Sequence, residues 1–199
     1  MALTVGTKAP SFELASSAGG TASLATLRGE RFVLYFYPKD NTPGCTQESC
    51  DFRDNFARLQ GAGVRVFGVS KDSIRSHEGF RGKYRLPFPL LSDPDSVVAK
   101  AYGAFGQKMM YGKPVVGTIR STFLIGADGK IEAMWSPVKV AGHVDAVLAA
   151  ARGETVDAAP AKPKAKASAP AKKSPVKKVA AKKVSSAASK PAKKKVAKR

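Results

Sequence analysis

The 199-residue sequence predicts an α/β domain with a mixed central sheet flanked by helices, followed by a basic C-terminal tail. Three observations lead there. Residues 31–37, Arg-Phe-Val-Leu-Tyr-Phe-Tyr, form a solid aromatic and β-branched run, apolar on both faces as a covered central strand requires. Strand-like runs alternate with helical stretches, and the series closes on a hairpin. Charge is also segregated. Of 34 Lys and Arg, 15 lie in the last 42 residues, which contain no acid, so the first 157 hold only +4 of the +19 net charge. The folded domain is therefore set at residues 1–153 and the tail at residues 154–199. A domain of this length is large enough to bury a core. No run approaches the ~18 apolar residues of a membrane span, and the start lacks a basic-then-apolar signal, so a cytoplasmic location without membrane association is expected. Two cysteines exclude a disulfide-stapled mini-protein, and the composition excludes collagen and coiled coil.

In chain order, alternation over residues 11–27 broken by Ser16-Ser17-Ala18-Gly19-Gly20 predicts a first hairpin. The strand over residues 31–37 ends at Pro38. After a loop, Thr42-Pro43 opens a helix running to about Gly61: Thr is a favoured N-cap, and Pro is tolerated at the first helical position. Residues 64–70 are a second apolar strand, residues 73–84 a polar helix, residues 88–91 a short strand and residues 96–102 a helix. A loop holding Lys113-Pro114 follows. Residues 121–125 then turn at Asp128-Gly129 into a strand over 130–135, and residues 142–152 close the domain as a helix.

Cys45 and Cys50 lie five residues apart near the start of the 43–61 helix. Cys45 falls in the first turn, among backbone N–H groups without intrahelical partners and at the positive end of the dipole. That setting favours thiolate, the reactive form of sulfur. It shares the inward stripe of Phe52, Phe56 and Leu59, whereas Cys50 is rotated by roughly 140° toward Arg53, Asp54 and Ala57. Helix geometry separates the two Cα atoms by about 8.6 Å, beyond the roughly 7 Å a disulfide spans. The pair can bond only if the helix start unwinds. No metal or cofactor is expected: two cysteines with His77 and His143 remote in sequence fit no zinc pattern. His77, in a polar helix, reads as a solvated side chain and His143 as a helix-end or surface group. Glu48 reads as a first-turn acid complementing the dipole.

The segment from Pro38 through Lys39-Asp40-Asn41-Thr42-Pro43-Gly44-Cys45 to Cys50 and Arg53 closely resembles the active-site segment of the peroxiredoxin Q family, also called bacterioferritin comigratory proteins. Tyr111-Gly112-Lys113 with residues 117–125, and residues 135–148, resemble that family too. The likeness covers about residues 3–152. Gly126 stands where the family often has Asp, a difference touching a turn. The resemblance implies a thioredoxin-like fold and thioredoxin-dependent reduction of hydrogen peroxide and organic hydroperoxides. Cys45 matches the peroxidatic cysteine and Cys50 the resolving one. Thr42 and Arg120 match the residues that hydrogen-bond sulfur and peroxide, and Pro38 the residue that shields the sulfur. A monomer or weak dimer is implied. The residue chemistry agrees: fixed donors stabilise charge developing on a leaving oxygen, and Arg120 is a permanently charged fork of donors. Each supporting residue also has a simpler reading. Thr42 serves as an N-cap, Pro38 ends a strand, and Arg120 pairs with an acid.

The tail repeats Pro-Ala-Lys at Pro160, Pro170 and Pro191 and Lys-Lys-Val at Lys177, Lys182 and Lys194. It resembles the tails of linker histones. Disorder and non-specific phosphate binding to DNA near the nucleoid are expected, beside the alternatives of a solubilising tail with no specific partner and of RNA or membrane-surface binding; without an aromatic residue base stacking is excluded. Two other functions compete. A general thiol–disulfide oxidoreductase is disfavoured, because four residues separate the cysteines where thioredoxin-type motifs have two. The other is a nucleic-acid-coating protein on a passive thioredoxin-like scaffold.

Overall fold

The structure, a computed structural model of the chain, describes residues 3–110 and 113–154. The expectations for the tail fall outside the described residues. The chain runs β1 (Glu13–Ser16), β2 (Thr21–Ser23), β3 (Arg31–Phe36), α1 (Pro43–Asp54), α2 (Phe56–Gly61), β4 (Val64–Ser70), α3 (Ile74–Tyr84), β5 (Leu90–Ser92), α4 (Val97–Ala101), β6 (Phe105–Met110), β7 (Lys113–Thr118), β8 (Ser121–Ile125), β9 (Ile131–Trp135) and α5 (His143–Ala151). Seven strands form one sheet in the order β2-β1-β5-β4-β3-β8-β9. β3 pairs in parallel with β4, Val33 opposite Val66, and antiparallel with β8, Leu34 opposite Phe123, so the sheet is mixed.

The period of two along β3 divides the interior into two cores. Phe32, Leu34 and Phe36 pack with Phe67, Phe123 and Ile125, under α4 and the β1–β2 hairpin. Val33 and Tyr35 face the opposite side, where Phe52, Leu59, Phe80, Val147 and Leu148 bring α1, α2, α3 and α5 down onto the sheet. This two-sided cover explains why the run is apolar on both faces. It also stands α1 over the carboxyl end of β3, with the loop at residues 37–42 leading directly into its first turn.

Two expectations need correction. The helix expected over 43–61 is two helices, parted at Asn55 (φ −103, ψ 8). There the Asn55 backbone N–H and side-chain Nδ2 both donate to the Asp51 carbonyl, at 3.2 and 3.0 Å. A short amide that bonds nearby backbone in this way competes with the helical ladder. The loop expected to hold Lys113-Pro114 is β7, paired with β6 from Phe105 opposite Thr118 to Met110 opposite Lys113. Gly106, Gly117 and Pro114 mask the alternation, and in a two-stranded ribbon Pro occupies an edge where its missing N–H is tolerated. Among the described residues no helix is long and apolar enough to cross a membrane.

Candidate active site

Thr42 is extended (φ −92, ψ 148) and passes the chain into α1, where Thr46 N–H donates to the Thr42 carbonyl at 2.8 Å. Cys45 sits in this first turn, buried on the same inward face as Phe52 and Leu59. The stripe expected from sequence is therefore present, although Phe56 is only partly buried because α1 breaks before it. Cys50 is half-buried on another flank of α1, and both cysteines are free thiols. Burial pushes the Cys50 thiol up, with Arg53 pulling it back.

Arg120 lies in the short link between β7 and β8. Because β8 pairs with β3, that link ends beside the start of α1. Arg120 Nη2 donates to Cys45 Sγ at 3.3 Å, and Nη1 donates to Glu48 Oε2 in an ion pair. Gly44 makes room for this approach: a Cβ there would stand 3.3 Å from Arg120 Nη2. Burial pulls the guanidinium down, but Glu48 and Cys45 more than offset it and hold Arg120 above its ordinary value. Glu48 is wholly buried. Burial pushes its carboxyl up to about 7, against the pull of Arg120, and its Oε1 has no hydrogen-bond partner among the described residues. A positive fork is thus held against sulfur on one side by a buried acid on the other. Lys108 of β6 adds a second cation near them. Burial, then Arg120, push its ammonium down, and Cys45 pulls it up.

The Thr42 hydroxyl does not cap the helix. It donates to the Lys39 carbonyl at 3.0 Å, so the expected side-chain cap is absent and no side chain of Thr42 covers the first-turn N–H groups. The extended backbone and Pro43 at the helix start are enough to begin α1 without it. Pro38, half-buried, heads the same loop. The structure thus brings Cys45 and Arg120 into contact, sets Thr42 at the head of the same helix and leaves Cys50 five residues on.

Glu48 is the site residue that the sequence reading passed over. It lies three positions after Cys45, on the same helix face, and Arg120 beside a buried strand called for an acid; together these were the available signal. His77 is also corrected, and of the two readings of His143 the helix end holds while the surface position does not. His143 opens α5 from a buried position, 2.8 Å from Thr122 Oγ1, with its ring edge-on to Phe52 and Trp135. Burial and Arg120 push it down to about 4, so it is a neutral prop behind α1. His77 is wholly buried and paired with Asp40, because the polar face of α3 turns inward at this point.

Comparison with known proteins agrees with this arrangement. Residues 5–134 match the AhpC/TSA family. A putative peroxiredoxin bcp of Coxiella burnetii is 51% identical over 148 residues, 74% of this chain and 98% of that protein. A solved peroxiredoxin Q of Xanthomonas campestris superposes with a TM-score of 0.68 at 45% identity, covering 71% of this chain and 90% of that one. The bacterioferritin comigratory protein of the same organism, described for its alkyl peroxide reduction activity, gives 0.67 at 44% identity over the same shares. The mixed sheet, the helix-borne cysteine and these likenesses converge: the chain belongs to the AhpC/TSA family, among the peroxiredoxins of the Bcp and Q kind, which are thiol peroxidases with a thioredoxin-like fold.

Proposed function

We propose that Cys45 is the sulfur that attacks peroxide, that Cys50 resolves the product, and that a thioredoxin-type dithiol recycles the enzyme. The observation carrying this reading is the Arg120 fork, 3.3 Å from Cys45 Sγ at the mouth of α1. Cys45 thiolate forms an S–O bond as the O–O bond breaks. The departing hydroxide or alkoxide takes a proton, and Cys45 is left as the sulfenic acid. Donors aimed at the breaking bond stabilise the charge that develops there, a role for Arg120 and, once its hydroxyl turns from the Lys39 carbonyl, for Thr42, with Pro38 limiting water at the sulfur. Cys50 thiolate then attacks Cys45 Sγ, the S–S bond forms, and the oxygen leaves as water once protonated. Alkyl peroxide reduction by the Xanthomonas relative supports organic hydroperoxides as substrates beside hydrogen peroxide.

Formation of the disulfide requires α1 to open between the cysteines. The intervening Glu48 and Ser49 are buried, and Ser49 Oγ lies 3.0 Å from the Tyr35 hydroxyl. Peroxide should therefore remove two free thiols, and mass spectrometry should recover the Cys45–Cys50 peptide. With Cys50→Ser, one oxidation per chain should persist while thioredoxin-driven cycling stops; sustained cycling would require a resolving thiol elsewhere.

We further propose a cytoplasmic enzyme, working as a monomer or weak dimer, with its domain at residues 1–153 and its Lys-rich tail at residues 154–199 holding it near DNA. Six engaged Lys would give a log–log salt slope of about −5. A chain ended at Thr155 should keep its peroxide turnover and lose salt-sensitive retention on duplex DNA. Equal retention without the tail would sink this assignment.

A further inference from the structure

Outside the contacts around Cys45, a second buried cluster of titratable side chains lies under the loop that leads into α1. Asp40 and His77 face each other with side chains almost fully enclosed. His77 Nδ1 is 3.0 and 3.2 Å from the two carboxylate oxygens. The Tyr37 hydroxyl donates to Oδ1 and Ser76 Oγ to Oδ2, each at 2.7 Å. Burial alone would raise the Asp40 carboxyl, but the bonds from His77, Ser76 and Tyr37 outweigh it and hold the group below the ordinary carboxylate range. On the far side of the ring, Nε2 is 3.2 Å from the Leu91 carbonyl, which can only accept. Both ring nitrogens face oxygen atoms, so the ring is tied at both edges, to Asp40 on one side and to β5 on the other.

Replacing such a buried pair with apolar side chains is often neutral or stabilising, so stability alone does not account for it. Its neighbours supply a reason. Asp40 N–H donates to Asp72 Oδ2 at 2.8 Å, and Ser70 Oγ holds the same oxygen at 2.8 Å. The next residue, Asn41, is left-handed at φ +58, a turn conformation that Asn adopts more readily than other residues with a Cβ. Thr42 follows, bonded back to the Lys39 carbonyl. Asp40 therefore ties this loop to the ends of β4 and β5 and to α3.

We propose that Asp40 and His77 are positioning residues for peroxide reduction: their buried contact fixes the loop over residues 39–42, and through it the register in which Thr42 and the first turn of α1 present Cys45 to Arg120. The inference rests on the roles proposed above for Thr42 and Cys45. Neither Asp40 nor His77 touches the reacting atoms, so the effect lies in the placement of groups that do. Misplacing reacting groups by about 1 Å can slow a reaction on the order of a hundredfold.

The test uses the full chain, with single-turnover oxidation of Cys45 by hydrogen peroxide and steady-state turnover with thioredoxin. His77→Gln should slow Cys45 oxidation by at least about tenfold. Ser76→Ala, which removes one donor from Asp40 at a half-buried position, should slow it by roughly two- to fivefold, and Ser76→Thr should restore the rate. In both slowed variants the KM for thioredoxin should stay at the wild-type value, a split that general loosening of the fold would not produce. If His77→Gln does not fold, the Ser76 pair decides. Oxidation within twofold of wild type in folded Ser76→Ala, or no recovery in Ser76→Thr, overturns the inference. Cys45→Ser is run beside them. If it still consumes peroxide, the reading of Cys45 has failed; if it is inactive while the Ser76 and His77 variants are unaffected, only the positioning role has failed.

Discussion

Cys45→Ser is expected to reduce peroxide consumption to background, a loss of at least about a thousandfold. A serine hydroxyl is a far weaker nucleophile near neutral pH, and its oxygen cannot pass through the sulfenic acid stage. The fold should persist. The substitution is nearly isosteric, and the new hydroxyl can accept from Arg120 Nη2, which already reaches this position at 3.3 Å. Thermal unfolding and DNA retention should therefore stay close to wild type while turnover vanishes, separating a peroxidase from a nucleic-acid-coating protein on an inert scaffold. Full turnover in the variant would remove Cys45 from the mechanism.

What the sequence revealed about this site follows the range of each interaction. β3 was legible because its whole signal lies in one uninterrupted apolar run, residues 32–37. The inward placement of Cys45 was legible because Phe52 follows it at the helical period within one element, α1. The resemblance supplied Arg120, which composition and spacing could not tie to a helix 75 positions away. Pairings across long separations left no trace in any local window. Glu48 meets Arg120 across 72 residues, and Asp40 meets His77 across 37. Glu48 read as a dipole-facing acid and His77 as a solvated side chain, because a polar residue on a helix is usually exposed. The break at Asn55 and the β6–β7 ribbon were hidden for a different reason. A side-chain bond to Asp51, and glycines at cross-strand positions, override patterns that were otherwise helical or irregular.

The same long-range pair gives the second large expectation. Arg120→Met should lower the rate of Cys45 oxidation by about a hundred- to a thousandfold, the usual consequence of removing one preorganised donor to a developing oxyanion. Where Glu48 is ionised, above about pH 7, the substitution should also destabilise the fold, because the carboxylate would remain buried without its counter-ion; stranding one partner of a buried pair costs up to about 3–5 kcal/mol. The two effects can be separated. In the double variant Arg120→Met/Glu48→Gln no charge is stranded, so stability should recover while the rate stays low. If stability and rate recovered together, Arg120 would be acting only through the fold. The buried acid also leaves a mark on pH dependence. The folded carboxyl is pushed up to about 7 from an ordinary 4.5, so the folded state binds its proton more tightly than the unfolded chain does. The stabilisation from that proton is present in full below about 4.5 and is lost as pH rises to about 7. Unfolding free energy measured for wild type minus Glu48→Gln should therefore decline across that interval and level off above it. A flat difference would mean that Arg120 outweighs burial and keeps Glu48 ionised throughout, which would weaken the guanidinium's freedom to turn toward peroxide as well as sulfur.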